Sequence, residues 1–445
     1  MIKKKILVVG GGFRGILAAN NLQKKYSVDL IEKSPYLGGV LFSEKWNDFY
    51  IDKGVHIFDN TRSEDTKLIQ KILKNKFRKI DVKYGSRITN KTSDKVAVPD
   101  FTTLDMKTQR KIAQELFECS FLNQKSKNLH EYLLNTYGKT AGSYFIRLAK
   151  KYFAIDPKEL SPDAHKNNPL SRGRFFDDHI TSFLKNFEIF DHKIALPVND
   201  NPMKWHSDVK DQSYRYFYPQ KDGLRNFCDN SLEFLKNNNV NVKTNISLEN
   251  IEKKNNKLFC IFSDGTKKEY DHLLWTTDHI PLYKIITKTK TVDSGIHFVP
   301  MVVFYFIVDI NKINDFTYIQ DFTNSTMALR AAVTGMLGNQ IIKNQTYIDV
   351  EVPTKIGSKL WNNPDKFYEI IWKDVVKMGL VKGKMPKNKK FIKSPVSFRA
   401  LRKNYKQKNQ NIEKRIKTFS NKIILMEQEN AQLFKILQSL KNTKI

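Results

Sequence analysis

Hydrophobic positions along the chain come in short blocks that change period. Ile6-Leu7-Val8-Val9 is a continuous apolar run closed by glycines, which suits a strand buried on both faces of a parallel sheet. After the glycines, residues 16–25 predict a helix, with the small Ala18 and Ala19 near its start. Residues 28–31 return to a strand, and Glu32 stands at its end. Farther on, Leu104, Ile112 and Leu116, then Leu129, Leu133, Phe145 and Leu148, recur at helical spacing and predict a mainly helical region over 101–195. Residues 240–251 read as strand, turn and strand, and Ser263-Asp264-Gly265-Thr266 as a hairpin turn. The apolar stretches 301–308 and 347–352 predict strands, and 423–425 a last strand leading into a helix over about 431–440. The longest apolar run, 298–310, falls short of the roughly 20 residues that span a bilayer and carries Asp309, so it reads as a buried strand.

The turn between the first strand and helix carries the most chemistry. Gly10-Gly11-Gly12-Phe13-Arg14-Gly15 satisfies GxGxxG directly after a strand. In such a turn Gly10 permits the tight bend, Gly12 lets backbone approach a pyrophosphate, and Gly15 lets the helix pack close to the strand. The helix N-terminus then presents unpaired N–H groups to the phosphates. Glu32 follows about 20 residues later, placed to accept hydrogen bonds from ribose hydroxyls and to repel a 2′-phosphate. Strand, turn, helix, strand and acid in this order predict an α/β, Rossmann-type dinucleotide site. With 445 residues, the chain has room for a second domain.

Composition modifies this picture in two places. The three cysteines, Cys119, Cys228 and Cys260, are far apart and form no CxxC, and the N-terminus lacks a signal-peptide pattern; together they suggest a cytoplasmic protein without structural zinc. The net charge of +30 favours anionic partners: phosphates, an acidic membrane surface or nucleic acid. The segment 382–417 is dense in lysine and arginine, with one acid, Glu413. No zinc-finger spacing or RNP-like motif accompanies it, so a solvated basic surface is preferred and no nucleic-acid partner is expected. Contact with a membrane periphery stays open.

Several segments resemble the FAD-dependent amine oxidase/protoporphyrinogen oxidase-like superfamily and its UDP-galactopyranose mutase-like members. Glu32-Lys33-Ser34-Pro35-Tyr36-Leu37-Gly38-Gly39 resembles their E-x(5)-GG element, and Asp52-Lys53-Gly54-Val55-His56-Ile57-Phe58 their D-x-G-x-H-x-F segment. Lys151-Tyr152-Phe153-Ala154-Ile155-Asp156-Pro157 is similar to another family element, with Ala154 in place of glycine. Tyr216-Phe217-Tyr218-Pro219 is similar to its FxYPxxG segment, with the glycine one place late at Gly223. Asp271-His272-Leu273-Leu274-Trp275-Thr276 resembles the strand that returns to the second domain.

The resemblance implies FAD. It places Gly10, Gly12, Phe13, Arg14, Gly15, Glu32, Lys33, Gly38, Gly39 and His56 at the cofactor, with Ile246 near the adenine. His56 is then the candidate catalytic residue, the alternative being a histidine satisfied by packing. The family closes with a Gly-Arg or Gly-acid element near the flavin; Met426-Glu427 stands there instead, with Glu427 the matching contact. Arg172 and Arg174 resemble a segment in which an arginine meets a sugar-nucleotide diphosphate, the alternative being a solvated loop. Arg330 and Tyr347 are weaker substrate-pocket candidates.

The implied organisation is a discontinuous FAD-binding domain (1–95, 216–290 and 395–445) and a mixed α+β substrate domain (96–215 and 291–394). The implied function is an FAD-dependent oxidoreductase that moves a hydride from a small-molecule substrate to flavin N5. Two alternatives stand beside it: a flavin-dependent mutase acting on a nucleotide sugar, and a non-catalytic member that keeps only the fold.

Overall fold

The computed structural model describes residues 3–60, 63–121, 125–166, 168–196, 209 and 211–426. The expected contact Glu427 and the helix over 431–440 lie outside the described residues. The chain divides into two compact units, Met1–Ile80 with His206–Ser294 and Lys406–Ile445, and Asp81–Trp205 with Gly295–Tyr405.

The first unit is built on a parallel five-stranded sheet. Its order is Val240–Lys243, Ser27–Ile31, Lys5–Val9, His272–Trp275 and Ile423–Leu425. Register places Val9 opposite both Ile31 and Trp275, so three strands end level where the glycine turn begins. Ile6, Leu7 and Val8 have no exposed surface, as expected of a strand covered on both faces. An antiparallel sheet of Leu248–Lys254, Lys257–Phe262 and Lys267–Tyr270 packs through Leu258 and Cys260 against Leu7 and Leu273. Its hairpin turns at Gly265, φ +77°. The first helix is Phe13–Leu22, three residues earlier than the pattern predicted. Gly12 is the extended N-cap (φ −70°, ψ 179°), and Ile16 N donates to Gly12 O at 3.0 Å, so Phe13-Arg14-Gly15 forms the first turn.

The second unit holds a mixed seven-stranded sheet. Its order is Lys389–Leu401, Ile296–Asp309, Gln345–Pro353, Arg330–Ala332, Tyr318–Asp321, Tyr84–Arg87 and Thr92–Ser93. One face is apolar: Phe304, Phe306, Ile348 and Val350 pack against Ile371, Trp372 and Val375 of the helix Tyr368–Met378. Residues 81–95 and 395–405, expected in the cofactor domain, fall in this unit, because Tyr84–Arg87 pairs with Tyr318–Asp321 and Lys389–Leu401 with Ile296–Asp309.

The helical region is present as Met106–Ser120 and Leu129–Phe153, and its core contains every apolar position named from periodicity, with Leu104 at the margin. Gly138 interrupts the longer helix at φ +77°, where a Cβ would lie 2.5 Å from that of Glu115. Glu115 then caps the resumed helix by accepting from Thr140 N and Oγ1.

Candidate functional site

The glycine turn assembles through close approaches that larger residues would forbid. Gly10 sits at φ +104°, and a Cβ there would lie 2.5 Å from Thr277 Cγ2 and 2.7 Å from Thr276 Oγ1. A Cβ on Gly15 would lie 1.8 Å from the Gly10 carbonyl oxygen, so the helix rests on the turn itself. Gly12 differs: a Cβ there meets nothing within 4 Å, and Gly12 caps the helix without a side-chain hydrogen bond. The open approach and the first-turn N–H groups are what an anionic phosphate requires.

Glu32 is buried beside this turn. Its Oε2 accepts from Gly11 N at 2.7 Å and its Oε1 from Ser34 N at 2.8 Å. Each oxygen keeps a second lone pair. The edge strand closes this side, since Glu32 N donates to Lys243 O and Ile246 N to Glu32 O. Gly38 N donates to Gly11 O at 2.8 Å, and a Cβ on Gly39 would lie 3.4 Å from Gly12 Cα. The two glycine elements, far apart in sequence, therefore lie side by side. Phe13 turns away into an aromatic cluster with Phe58 and Phe227, at centroid distances of 6.2 and 5.7 Å. Arg14 is half-buried on the first helical turn, and Lys33 is exposed.

His56 is half-buried, with Nδ1 3.2 Å from Gly54 O. Four residues earlier, Asp52 is buried and accepts from Ser43 Oγ, Tyr218 Oη and Leu224 N. Ser43 Oγ in turn accepts from Arg225 N at 2.8 Å. One carboxylate thus joins the segment after the glycine pair, the strand Tyr216–Pro219 and the start of the helix Arg225–Asn237. Burial pushes the Asp52 carboxyl up to about 7, against the pull of its Ser43 and Leu224 donors.

In the second unit the four candidates fall in different settings. Arg172 is exposed and makes no ion pair among the described residues. Arg174 meets Asp100 at 3.2 Å, Asp178 at 3.0 Å and Thr102 Oγ1 at 2.8 Å. The two acids face its charge and make it a clamp between the segments at 100 and 178. Arg330 binds Glu351, and Tyr347 is fully buried two rows along the same sheet face.

Residues 8–75 match the family model described as NAD(P)-binding Rossmann-like domain. Among solved structures, a reduced UDP-galactopyranose mutase is similar at 14% identity and a TM-score of 0.76, over 99% of this chain and 93% of that one. A protein provisionally assigned as a protoporphyrinogen oxidase, from Exiguobacterium sp., is similar at 15% identity and 0.66, over 99% and 98%. The chain has the fold that these two structures share. A CLA-producing fatty acid isomerase from P. acnes is similar at 10% identity and 0.58, over 99% of both chains. No curated protein sequence matches the chain. A fold found under the names mutase, oxidase and isomerase specifies no reaction by itself.

The local residues are compatible with a dinucleotide, as the matched Rossmann-like model implies. The first unit offers an open Gly12, uncapped N–H groups and a buried acid beside them, which suits the ADP half of a dinucleotide. Motif reading gave no role to Thr276, Thr277, Asp52 or Cys228. Thr276 Oγ1 donates to Val9 O at 2.8 Å and steadies the turn. Cys228 fills the space that forces glycine at position 38, where a Cβ would lie 2.1 Å from its Sγ. A signal for Asp52 was present, because an acid closing the apolar run Phe49-Tyr50-Ile51 needs buried partners. Cys228 gave none, as its contact with Gly38 is purely tertiary. Among the described residues no helix is long and apolar enough to cross a membrane.

Proposed function

We propose that the first unit binds FAD and that the protein is a flavin-dependent oxidoreductase acting on a small molecule. The observation that carries this reading is the meeting of the two glycine elements at the open face of Gly12. In it, the N–H groups after Gly12 bind the pyrophosphate, Glu32 uses its remaining lone pairs for the ribose, and the backbone at Ile246 borders the adenine. Gly38 and Gly39 leave room for the extended cofactor. His56, held by its contact with Gly54 O, orients the flavin edge or moves a proton there. When bound, the flavin supplies an acceptor for a hydride from substrate.

A mutase reading is supported by the TM-score of 0.76 with the UDP-galactopyranose mutase structure. It also has Arg172 as an exposed guanidinium for a diphosphate, while Arg174 is committed to Asp100 and Asp178. Two experiments separate the readings. Anaerobic bleaching of the bound flavin by substrate alone supports the oxidoreductase. Turnover of a nucleotide sugar only after prior chemical reduction supports the mutase.

A further inference from the structure

Residues 354–393 hold eleven lysines, no arginine and three acids. Of these acids, Asp374 is buried and accepts from Met327 N and Ala328 N, leaving Asp365 and Glu369 at the surface. None of the exposed lysines from 355 to 387 has a carboxylate within ion-pair distance among the described residues. The segments that carry this charge are tied to one another within the second unit. Trp372 Nε1 donates to Gly383 O at 3.0 Å, Lys389 lies 5.2 Å over the Tyr368 ring, and Lys393 lies 5.7 Å over the Trp361 ring.

Aliphatic side chains stand among the lysines. The helix Tyr368–Met378 buries Ile371, Trp372, Val375 and Met378. Its outward stripe is Ile370, Lys373, Val376 and Lys377, with Ile370 46% and Val376 37% exposed. Ile356, in the turn before the short helix Lys359–Asn362, is 64% exposed. We propose that this face docks on the surface of an anionic lipid bilayer. Unneutralised lysines draw phosphate headgroups, their stems lie along the apolar boundary, and Ile356, Ile370 and Val376 enter the headgroup layer. A nucleic acid fits less well: the face lacks the arginine forks that grip phosphate bidentately, and Trp361 and Tyr368 are each covered by a lysine instead of open for base stacking.

The test is sedimentation of the full-length protein with vesicles. Vesicles of equal parts phosphatidylcholine and phosphatidylglycerol are compared with phosphatidylcholine alone and with a single-stranded RNA oligonucleotide. The face predicts binding to the mixed vesicles, little to the neutral ones, and weakening as salt rises. Lys366→Glu with Lys373→Glu should lower vesicle partitioning roughly thirtyfold, from about fivefold per lysine before the effect of the new acids. Ile370→Ser with Val376→Ser should lower it severalfold and leave its salt dependence unchanged. All four positions are exposed, so unchanged melting temperatures will show that both variants fold. Undiminished partitioning of the lysine variant, no binding to mixed vesicles, or a preference for the RNA would overturn the proposal.

Discussion

At the scale of single residues, two glycines in one turn serve opposite purposes and can be told apart. A side chain at Gly15 collides with the Gly10 carbonyl, while one at Gly12 points into open space. Gly15→Ala should therefore destabilise the first unit by about 2 kcal/mol or more, in the range of overpacking a close contact. Gly12→Leu should leave the melting temperature of the flavin-free protein unchanged. Asp52 offers a second test. Its folded pKa lies well above that of an exposed carboxyl, so its contribution is present below about pH 4 and lost as pH rises through about 7. Asp52→Asn, which copies the neutral form, should flatten that decline; a decline in the variant as steep as in wild type would remove Asp52 as its source. The arginines separate likewise. Arg174→Met should lower stability by about 2 to 3 kcal/mol by stranding the buried Asp100, and Arg172→Met should not move it. The sequence showed the two as equals, because the clamp at Arg174 is made by an acid 74 residues away.

At the scale of elements, the helix Leu129–Phe153 is anchored at its last turn by a buried charge network. Lys151 Nζ donates to Asp321 O, Thr323 O and Thr326 Oγ1, each at 3.0 Å, and Asp321 also binds Arg87. Burial pulls the Lys151 ammonium down to about 8, although Asp321 and Asp374 favour its charge. Lys151→Met keeps the stem and removes three donors, and should cost about 3 kcal/mol in chemical denaturation. A loss under about 0.5 kcal/mol would mean the network is not a fastening of this helix. Elements such as this were legible where periodicity carried them, since the apolar positions named between 104 and 148 lie in or beside one core. Boundaries were less so. The first helix began early because Gly12, extended at φ −70° and ψ 179°, serves as its N-cap and leaves Phe13-Arg14-Gly15 inside the first turn, and strand 84–87 changed units because parallel pairing to residues 318–321 leaves no local mark.

At the scale of the whole molecule, the glycine turn in the first sixty residues pointed to the fold, and the order of later motifs extended it along the chain. The reaction was not legible, because it depends on side chains brought together from distant segments. A bound cofactor stabilises the folded state by mass action, so FAD at about 100 times its Kd should add about 2.7 kcal/mol to the unit that holds it. No such gain with FAD present would count against a site in this chain. The most direct test of the central claim is the visible spectrum of the purified protein, followed by FAD titration of the stripped protein and of Gly12→Leu. The account predicts a yellow protein absorbing near 450 nm, as flavins do, with tight rebinding by wild type and loss of binding by the folded variant. A colourless protein that cannot be reconstituted, or equal FAD affinity in Gly12→Leu, would contradict it.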